Sequence, residues 1–182
     1  VGPDGLVLTN FHVAGDAERI TCTLPTGEVL DADVVAHDPA IDISVLRIRL
    51  AERRSTAPLP FATIGDSDVL EVGDHVLAMG NPLTLSSSMT LGIVSNLKRV
   101  FTDFTGTETQ ELDIEGEATG MFTRWLQHDA LILPGNSGGP LVNLKGEVVG
   151  INTRGGSGVA FATPSNLVAK TLPQALAFGE VR

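Results

Sequence analysis

The stretch LPGNSGGPLV, residues 133–142, places three glycines and two prolines around a single serine. Proline lacks a backbone N–H and interrupts helices and central strands, whereas glycine adopts backbone dihedrals that other residues avoid. The pattern therefore predicts a sharp turn between strands, with Ser137 at its tip.

A serine on such a turn has the surroundings that nucleophilic catalysis requires. A hydroxyl attacks only when a general base lies within hydrogen-bonding reach and donors stabilise the oxyanion that forms. Glycines at 135, 138 and 139 would let backbone N–H groups serve as those donors. The alternative is a glycine-rich hairpin whose serine only caps the turn. The choice depends on partners elsewhere in the chain.

Chain order restricts the kind of serine site. Gly135, Ser137 and Gly139 also match the G-x-S-x-G pattern of α/β-hydrolase esterases, in which the acid and the histidine follow the serine. In this sequence every histidine precedes Ser137 and no aspartate follows it. The histidines are His12, His37, His75 and His128. The esterase interpretation is therefore excluded.

A second known arrangement of the serine, histidine and acid has the chain order histidine, aspartate, serine. His12 lies in LTNFHVAG at the predicted end of a strand, and Asp42 lies in DPAIDISVL between two isoleucines. A buried aspartate is costly unless a donor holds it, and an imidazole N–H is a suitable donor. Either residue alone is explained by a structural role, but the three together predict a His12–Asp42–Ser137 triad.

Composition limits the partners and cofactors. The chain has 182 residues, 42% of them apolar, and a formal net charge of −10. The acidity argues against nucleic acid as a partner, and no apolar run is long enough for membrane insertion. Cys22 is the only cysteine, so no intrachain disulfide is predicted. No residues have metal-ligand spacing, so we expect no catalytic metal and no cofactor.

Short apolar runs between turn residues predict an all-β fold. The polar segment 51–60 separates two blocks of strands, so we expect one lobe at 1–55 and a second at 56–165. A short helix and tail should occupy 166–182, with Ser165 as its cap and Pro173 as its end. Residues 101–120 predict a long mobile loop whose acids are solvated rather than cation-binding. These acids are Asp103, Glu108, Glu111, Asp113, Glu115 and Glu117.

Five motifs together carry a family resemblance. TNFHV, DPAIDISVLRI and PGNSGGPLVN, followed by GINT and FATPSN, resemble the protease domain of the HtrA/DegP serine proteases in order and spacing. GNSGGP alone is shared with many chymotrypsin-like proteases, whereas the full set is typical of this branch. The resemblance implies a chymotrypsin-like double β-barrel, with two six-stranded antiparallel barrels and the active site between them.

The resemblance also implies residue roles. His12 is similar to the family's general base, Asp42 to the acid that orients it, and Ser137 to the nucleophile, with the oxyanion hole at Gly135, Asn136 and Ser137. The implied specificity pocket lacks an acidic group, which favours small or medium aliphatic residues at the cleaved position. Its residues are Leu131, Ile132, Leu133, Ile151, Asn152 and Thr153. For the leucines and isoleucine at 131–133, packing within the barrel is the alternative.

The sequence departs from the family pattern in four places. The strand that precedes PDGLVLTN in the family is absent, so we expect the first barrel to lack its N-terminal strand and expose an edge. The family's N-terminal oligomerisation segment is also absent. The homotrimer of the family therefore stays an alternative for this chain, and the sequence does not predict it. No PDZ domain is present in these residues. Leu133 stands where the family usually has asparagine.

Two functions follow from this interpretation. The first is a serine endopeptidase that cleaves unfolded or misfolded polypeptides through an acyl-enzyme, as in protein quality control, with the extended substrate bound as an added strand. The second is a non-cleaving, chaperone-like peptide-binding module with a collapsed oxyanion hole. The resemblance implies an extracytoplasmic location, in the bacterial periplasm or cell envelope, with an organelle as the other setting.

Overall fold

The computed structural model describes residues 2–15, 17–81, 88–100, 112–114, 117–119 and 123–178. Antiparallel strands dominate these residues, which confirms the all-β class. The strands are β1 (Leu6–Thr9), β2 (Ile20–Thr23), β3 (Val29–Asp38), β4 (Ile43–Ile48), β5 (His75–Gly80), β6 (Ser88–Arg99), β7 (Leu112–Ile114), β8 (Glu117–Thr119), β9 (Trp125–His128), β10 (Pro140–Asn143), β11 (Val148–Gly156) and β12 (Val159–Pro164). The α-helices among them are α1 (Phe11–Ala14) and α2 (Ser165–Phe178).

Strands β1 to β4 form the first sheet, in the antiparallel order β1-β4-β3-β2. Its central strand β4 is buried at every residue except Arg47, which fits a nearly continuous apolar run. We expected a six-stranded barrel without its first strand, but the described residues form an open sheet of four strands. Closure would require β1 and β2 to pair, and an apolar cavity of about 500 Å³ lies between them, lined in part by Leu6, Leu8 and Cys22.

The second sheet closes into a six-stranded barrel, as the family resemblance implies. Its strands follow the order β10-β11-β12-β9-β6-β5, and the first and last of these pair with each other. Alternate side chains of each strand point into the barrel. Val76, Val94, Leu141 and Val149 are fully buried in its core.

Helix α2 follows the barrel in the chain and packs back against both sheets. Its Val168 lies in an apolar cluster with Ile43 of the first sheet and Val142 of the barrel. Further along the helix, Ala175 is buried in a cluster with Val45 of the first sheet. The helix therefore joins the two lobes behind the region where their strands approach each other.

The predicted end of this helix at Pro173 is wrong. The helix continues through Pro173 to Phe178. A proline inside a helix removes one backbone hydrogen bond and weakens the preceding turn. Burial of the Ala175 side chain offsets that loss, because this apolar side chain is removed from water only if the helix continues beyond the proline.

Most of the predicted mobile loop at 101–120 lies outside the described residues. Within it, β7 and β8 pair as an antiparallel hairpin in which Leu112 lies opposite Thr119, so the prediction of a loop without strands is wrong for these residues. Of the acids in this segment, Asp113 is in β7 and Glu117 is in β8, and the other four fall outside the described residues.

Among the described residues, no group of three or more histidine, cysteine, aspartate or glutamate side chains is arranged to hold a metal ion. None of the helices in the same residues is both long and apolar enough to cross a membrane.

Candidate active site

His12 lies on the short helix α1, directly after β1. The sequence places it at a strand end, and the structure adds the single helical turn that carries it. The imidazole Nδ1 lies 2.8 Å from Oδ2 of Asp42. The backbone N–H of His12 donates to the other carboxylate oxygen, Oδ1, at 3.0 Å. His12 is therefore held to Asp42 by both its ring and its backbone.

Asp42 occupies the junction between a 3₁₀ turn at Pro39–Ile41 and strand β4. Its backbone is left-handed, with φ 55° and ψ 50°, which is uncommon for a residue other than glycine. The side chain is fully buried, and each of its oxygens accepts one bond from His12. A carboxylate only accepts hydrogen bonds, so the contact with Asp42 requires a proton on Nδ1, and in the neutral imidazole this leaves a lone pair on Nε2.

The serine turn begins with a type II β-turn. Pro134 occupies its second position, Gly135 occupies the third with φ 103°, and the N–H of Asn136 donates to the carbonyl of Leu133 at 2.9 Å. The positive φ at the third position requires glycine or asparagine. The predicted turn at Ser137 is therefore present, and its first half has the backbone conformation that the PGN sequence favours.

The strand that leads to His12 contacts the second half of the serine turn. A β-carbon at position 138 would lie 2.2 Å from Oγ1 of Thr9 and 3.2 Å from the backbone nitrogen of Asn10. Gly138 also has φ 79°. Only glycine fits this position, and its small size lets the first sheet approach the nucleophile candidate of the barrel.

The Ser137 hydroxyl donates to the carbonyl oxygen of Thr153 at 2.9 Å. Within the described residues it makes no hydrogen bond to His12. In the same residues, the backbone N–H groups of Gly135 and Ser137 have no acceptor, whereas that of Asn136 is used in the turn. Two of the three residues predicted for the oxyanion hole thus offer an unengaged donor.

The residues predicted for a specificity pocket do not share one location. Leu131 and Leu133 are exposed beside the turn, with 54% and 36% of their surface accessible. Ile132 is buried in the barrel core, and Ile151 is buried in the cluster between the lobes. Consecutive residues of a strand point to opposite faces, which separates Asn152 from Ile151. Asn152 and Thr153 are both almost completely buried.

His128 is the most unusual of the remaining histidines. It is fully buried, and neither ring nitrogen has a hydrogen-bond partner within the described residues. Burial lowers the pKa of His128 to about 4, against the smaller opposing effects of Asp129 and the neighbouring Asn152 side chain. His37 is in β3, where its Nδ1 lies 2.8 Å from Oγ of Ser44, and His75 begins β5.

Sequence reasoning missed three polar residues beside the site, namely Asn10, Thr123 and Thr163. All three are buried, and each donates a hydrogen bond to a backbone carbonyl of the turn at residues 40–42, that of Asp42 itself included. The asparagine two positions before His12 gave no signal of this role, since asparagine is usually exposed and its sequence position did not predict burial. The threonines are more than eighty residues away from their acceptors, and no local pattern reveals such contacts.

Comparisons with known proteins agree with this architecture. Residues 1–151 match the trypsin-like peptidase domain family. A probable periplasmic serine endoprotease, DegP-like, of Chlamydia trachomatis is 38% identical over 187 residues, which span 100% of this chain and 33% of that protein. Mitochondrial serine protease HTRA2 of Bos taurus is 41% identical over 173 residues, which span 94% of this chain and 34% of HTRA2. The chain thus spans about a third of the length of these relatives.

A solved structure gives the same result in three dimensions. The HtrA-type protease AlgW with a decapeptide superposes with a TM-score of 0.80 and 33% identity, covering 100% of this chain and 51% of that one. The periplasmic pH-dependent serine endoprotease DegQ of Escherichia coli is 40% identical over 98% of this chain and 36% of its own length. The chain therefore belongs to the trypsin-like peptidase family, in its HtrA/DegP branch.

Proposed function

We propose that this chain is the catalytic domain of a serine endopeptidase that cleaves extended polypeptides. The observation that carries the proposal is the pairing of His12 with the fully buried Asp42, at 2.8 Å, beside a turn that presents Ser137. The first lobe, 1–55, supplies the base and the acid, and the second, 56–165, supplies the nucleophile. A histidine oriented in this way by a carboxylate is the general base of trypsin-like proteases.

The proposed reaction has two halves. Oγ of Ser137 attacks the carbonyl carbon of the scissile peptide bond while Nε2 of His12 takes the hydroxyl proton. The resulting oxyanion accepts hydrogen bonds from the N–H groups of Gly135 and Ser137. His12 then gives its proton to the departing amine, which leaves an acyl-enzyme on Ser137. Water, deprotonated by His12, hydrolyses that ester and restores the free serine.

Attack requires the serine hydroxyl to exchange its partner. In the structure the hydroxyl donates to the carbonyl of Thr153, so a rotation of the serine side chain must bring it to Nε2 of His12. The energy at stake is that of one hydrogen bond, about 1 kcal/mol, which substrate binding can supply. In this proposal the Ser137–Thr153 contact is a resting arrangement, and a bound peptide converts it to a reactive one.

The substrate proposal follows from the relatives and from the surface beside the turn. AlgW is described with a bound decapeptide. Leu131 and Leu133 offer exposed apolar surface next to Ser137, which supports a preference for small or medium aliphatic residues at the cleaved position. We assign the enzyme to protein quality control outside the cytoplasm, because several relatives are named as periplasmic endoproteases and one as mitochondrial.

One observation favours a second function, a module that binds peptides without cleaving them. The serine hydroxyl is engaged by Thr153 rather than by His12. If this state persisted with peptide bound, the chain would hold its partner but leave the peptide bond intact. The two functions differ in whether Ser137 reacts.

Labelling with a fluorophosphonate probe separates them. We expect the parent chain to be labelled and to cleave casein, and Ser137→Ala to lose both properties, since loss of the nucleophile in subtilisin costs about a millionfold in kcat. His12→Ala should also lose them. The matched control is Ser55→Ala, which removes an exposed hydroxyl far along the chain from the turn. Binding of casein without labelling or cleavage would establish the binding module instead, and cleavage by Ser137→Ala would refute the assignment.

A further inference from the structure

The turn that carries Asp42 receives a side-chain hydrogen bond at each of three consecutive carbonyls. Thr123 donates to the carbonyl of Ala40, Thr163 to that of Ile41, and Asn10 to that of Asp42, each at 2.9 Å. We refer to these three donors, Asn10, Thr123 and Thr163, as the carbonyl clamp. All three are buried, and Asn10 and Thr163 are completely so.

Two of the donors come from outside the first sheet. Thr163 lies on β12 of the barrel, and Thr123 lies just before β9 of the barrel. Asn10 belongs to the first lobe, but its amide also lies 3.4 Å from Oγ1 of Thr153 on β11. The position of the Asp42 turn is therefore fixed by the barrel as much as by its own sheet.

The same strand of the barrel reaches the nucleophile. The carbonyl of Thr153 accepts the Ser137 hydroxyl, and the side chain of Thr153 lies 3.4 Å from the hydroxyl of Thr163. One hydrogen-bonded path thus runs from the serine turn through Thr153 to the clamp. It places the acid and the nucleophile, which belong to different lobes, on a common support.

The Asp42 turn needs such support for a physical reason. Asp42 has a left-handed backbone, which is unfavourable for a residue with a side chain unless the surroundings impose it. Carbonyls at the end of a 3₁₀ turn have no partner within the turn, and a buried carbonyl without a donor is unfavourable. The clamp supplies these donors, and it holds the carboxylate at one position relative to His12.

We propose that Asn10, Thr123 and Thr163 are positioning residues that set the alignment of Asp42 and His12 with Ser137 across the two lobes. None of them touches substrate; each acts on the reaction through Asp42. The proposal rests on the proposed endopeptidase function, since it describes how that triad is aligned. It predicts that loss of a clamp donor reduces turnover while peptide binding is unchanged.

The test compares Thr163→Val with two other variants. Valine keeps the shape of threonine but leaves the carbonyl of Ile41 without its donor, and we expect kcat on a peptide substrate to fall about 10- to 100-fold at unchanged KM. Thr163→Ser keeps the hydroxyl and should retain most of the parent kcat. The matched control is Ser165→Ala. Ser165 is also buried, and its hydroxyl donates to the backbone carbonyl of Gly65 at 2.8 Å, which is not part of the Asp42 turn.

A second readout does not depend on turnover. The proton on Nδ1 of His12, shared with Asp42, should give a downfield proton resonance that shifts or broadens in Thr163→Val and stays in place in Ser165→Ala. The proposal fails if Thr163→Val keeps the parent kcat and resonance, or if Ser165→Ala lowers kcat as strongly. A parent chain without hydrolysis would refute the proposed function, and the resonance would still decide whether the clamp positions His12 and Asp42.

Discussion

The two lobes differ in whether their edge strands are paired. The barrel pairs each of its six strands on both sides, whereas the four-stranded first sheet ends at β1 and β2 with an apolar cavity of about 500 Å³ between them. Leu141 in the barrel core is completely inaccessible, and Leu46 in the core of the first sheet retains 3% of its surface. The barrel is thus a closed core, and the first sheet is a core with an open side.

This difference bears on the site because the lobes divide the candidate triad. His12 and Asp42 belong to the open sheet, and Ser137 belongs to the closed barrel. The barrel supplies contacts that hold the open sheet near the Asp42 turn. Two threonine hydroxyls of the barrel side donate to this turn, and an apolar cluster joins Ile43 to Val142. A rigid element therefore compensates for the less closed one at the point where the chemistry would occur.

The largest expected effect is a difference between matched core truncations. Leu141→Ala should lower the free energy of unfolding by about 4 to 5 kcal/mol, because the surrounding barrel cannot collapse into the space left. Leu46→Ala should lower it by about 2 to 3 kcal/mol, since its neighbours Val7 and Leu24 also line the cavity, and we expect them to shift into the space left. Urea unfolding followed by circular dichroism measures both. Equal costs would show that the first sheet is as tightly enclosed as the barrel.

The next effect concerns pH, and its sign differs between the lobes. Burial lowers the pKa of His128 in the barrel to about 4, from about 6.5 when unfolded. The unfolded chain therefore binds a proton at higher pH than the folded one. The stability contributed by neutral His128 is fully present above pH 6.5. As the pH falls toward 4, the free energy of unfolding decreases by about 3 kcal/mol. Asp38 in the first sheet has a pKa raised by burial, and its contribution has the opposite sign.

A substitution isolates the histidine from the carboxyl groups. His128→Gln retains a polar side chain that does not titrate, so the free energy of unfolding should change less between pH 7 and pH 4.5 than in the parent. His75→Gln is the matched control, because His75 is exposed. The groups that influence His128 directly are Asp129 and Asn152, and neither is altered. Parallel pH profiles for the parent and His128→Gln would refute the prediction.

The sequence predicted the local features well and the contacts between lobes poorly. The turn at Ser137 could be inferred because glycine and proline act on their own backbone, and the strands could be inferred from alternating apolar residues. The helix beyond Pro173 could not, since Ala175 is buried by residues of the first sheet that are distant in sequence. The separation of Ile132 from Ile151 has a similar cause, because it depends on which face of its element each residue presents to the core.

The smallest expected effect tests whether the open sheet loosens before the barrel. The chain has one cysteine, Cys22 on β2, and one tryptophan, Trp125 on β9 of the barrel. Burial raises the pKa of the Cys22 thiol, so little thiolate exists at neutral pH and reaction with a thiol reagent is slow in the folded chain. At increasing urea concentrations, Cys22 labelling should accelerate before the fluorescence of Trp125 changes, since local opening requires less free energy than global unfolding.

The labelling rate of the fully unfolded chain provides the reference, and Cys22→Ala confirms that the signal comes from this thiol. Coincident transitions would mean that the clamp and the shared apolar cluster join the two lobes into one cooperative unit, in which the open edge has no stability of its own.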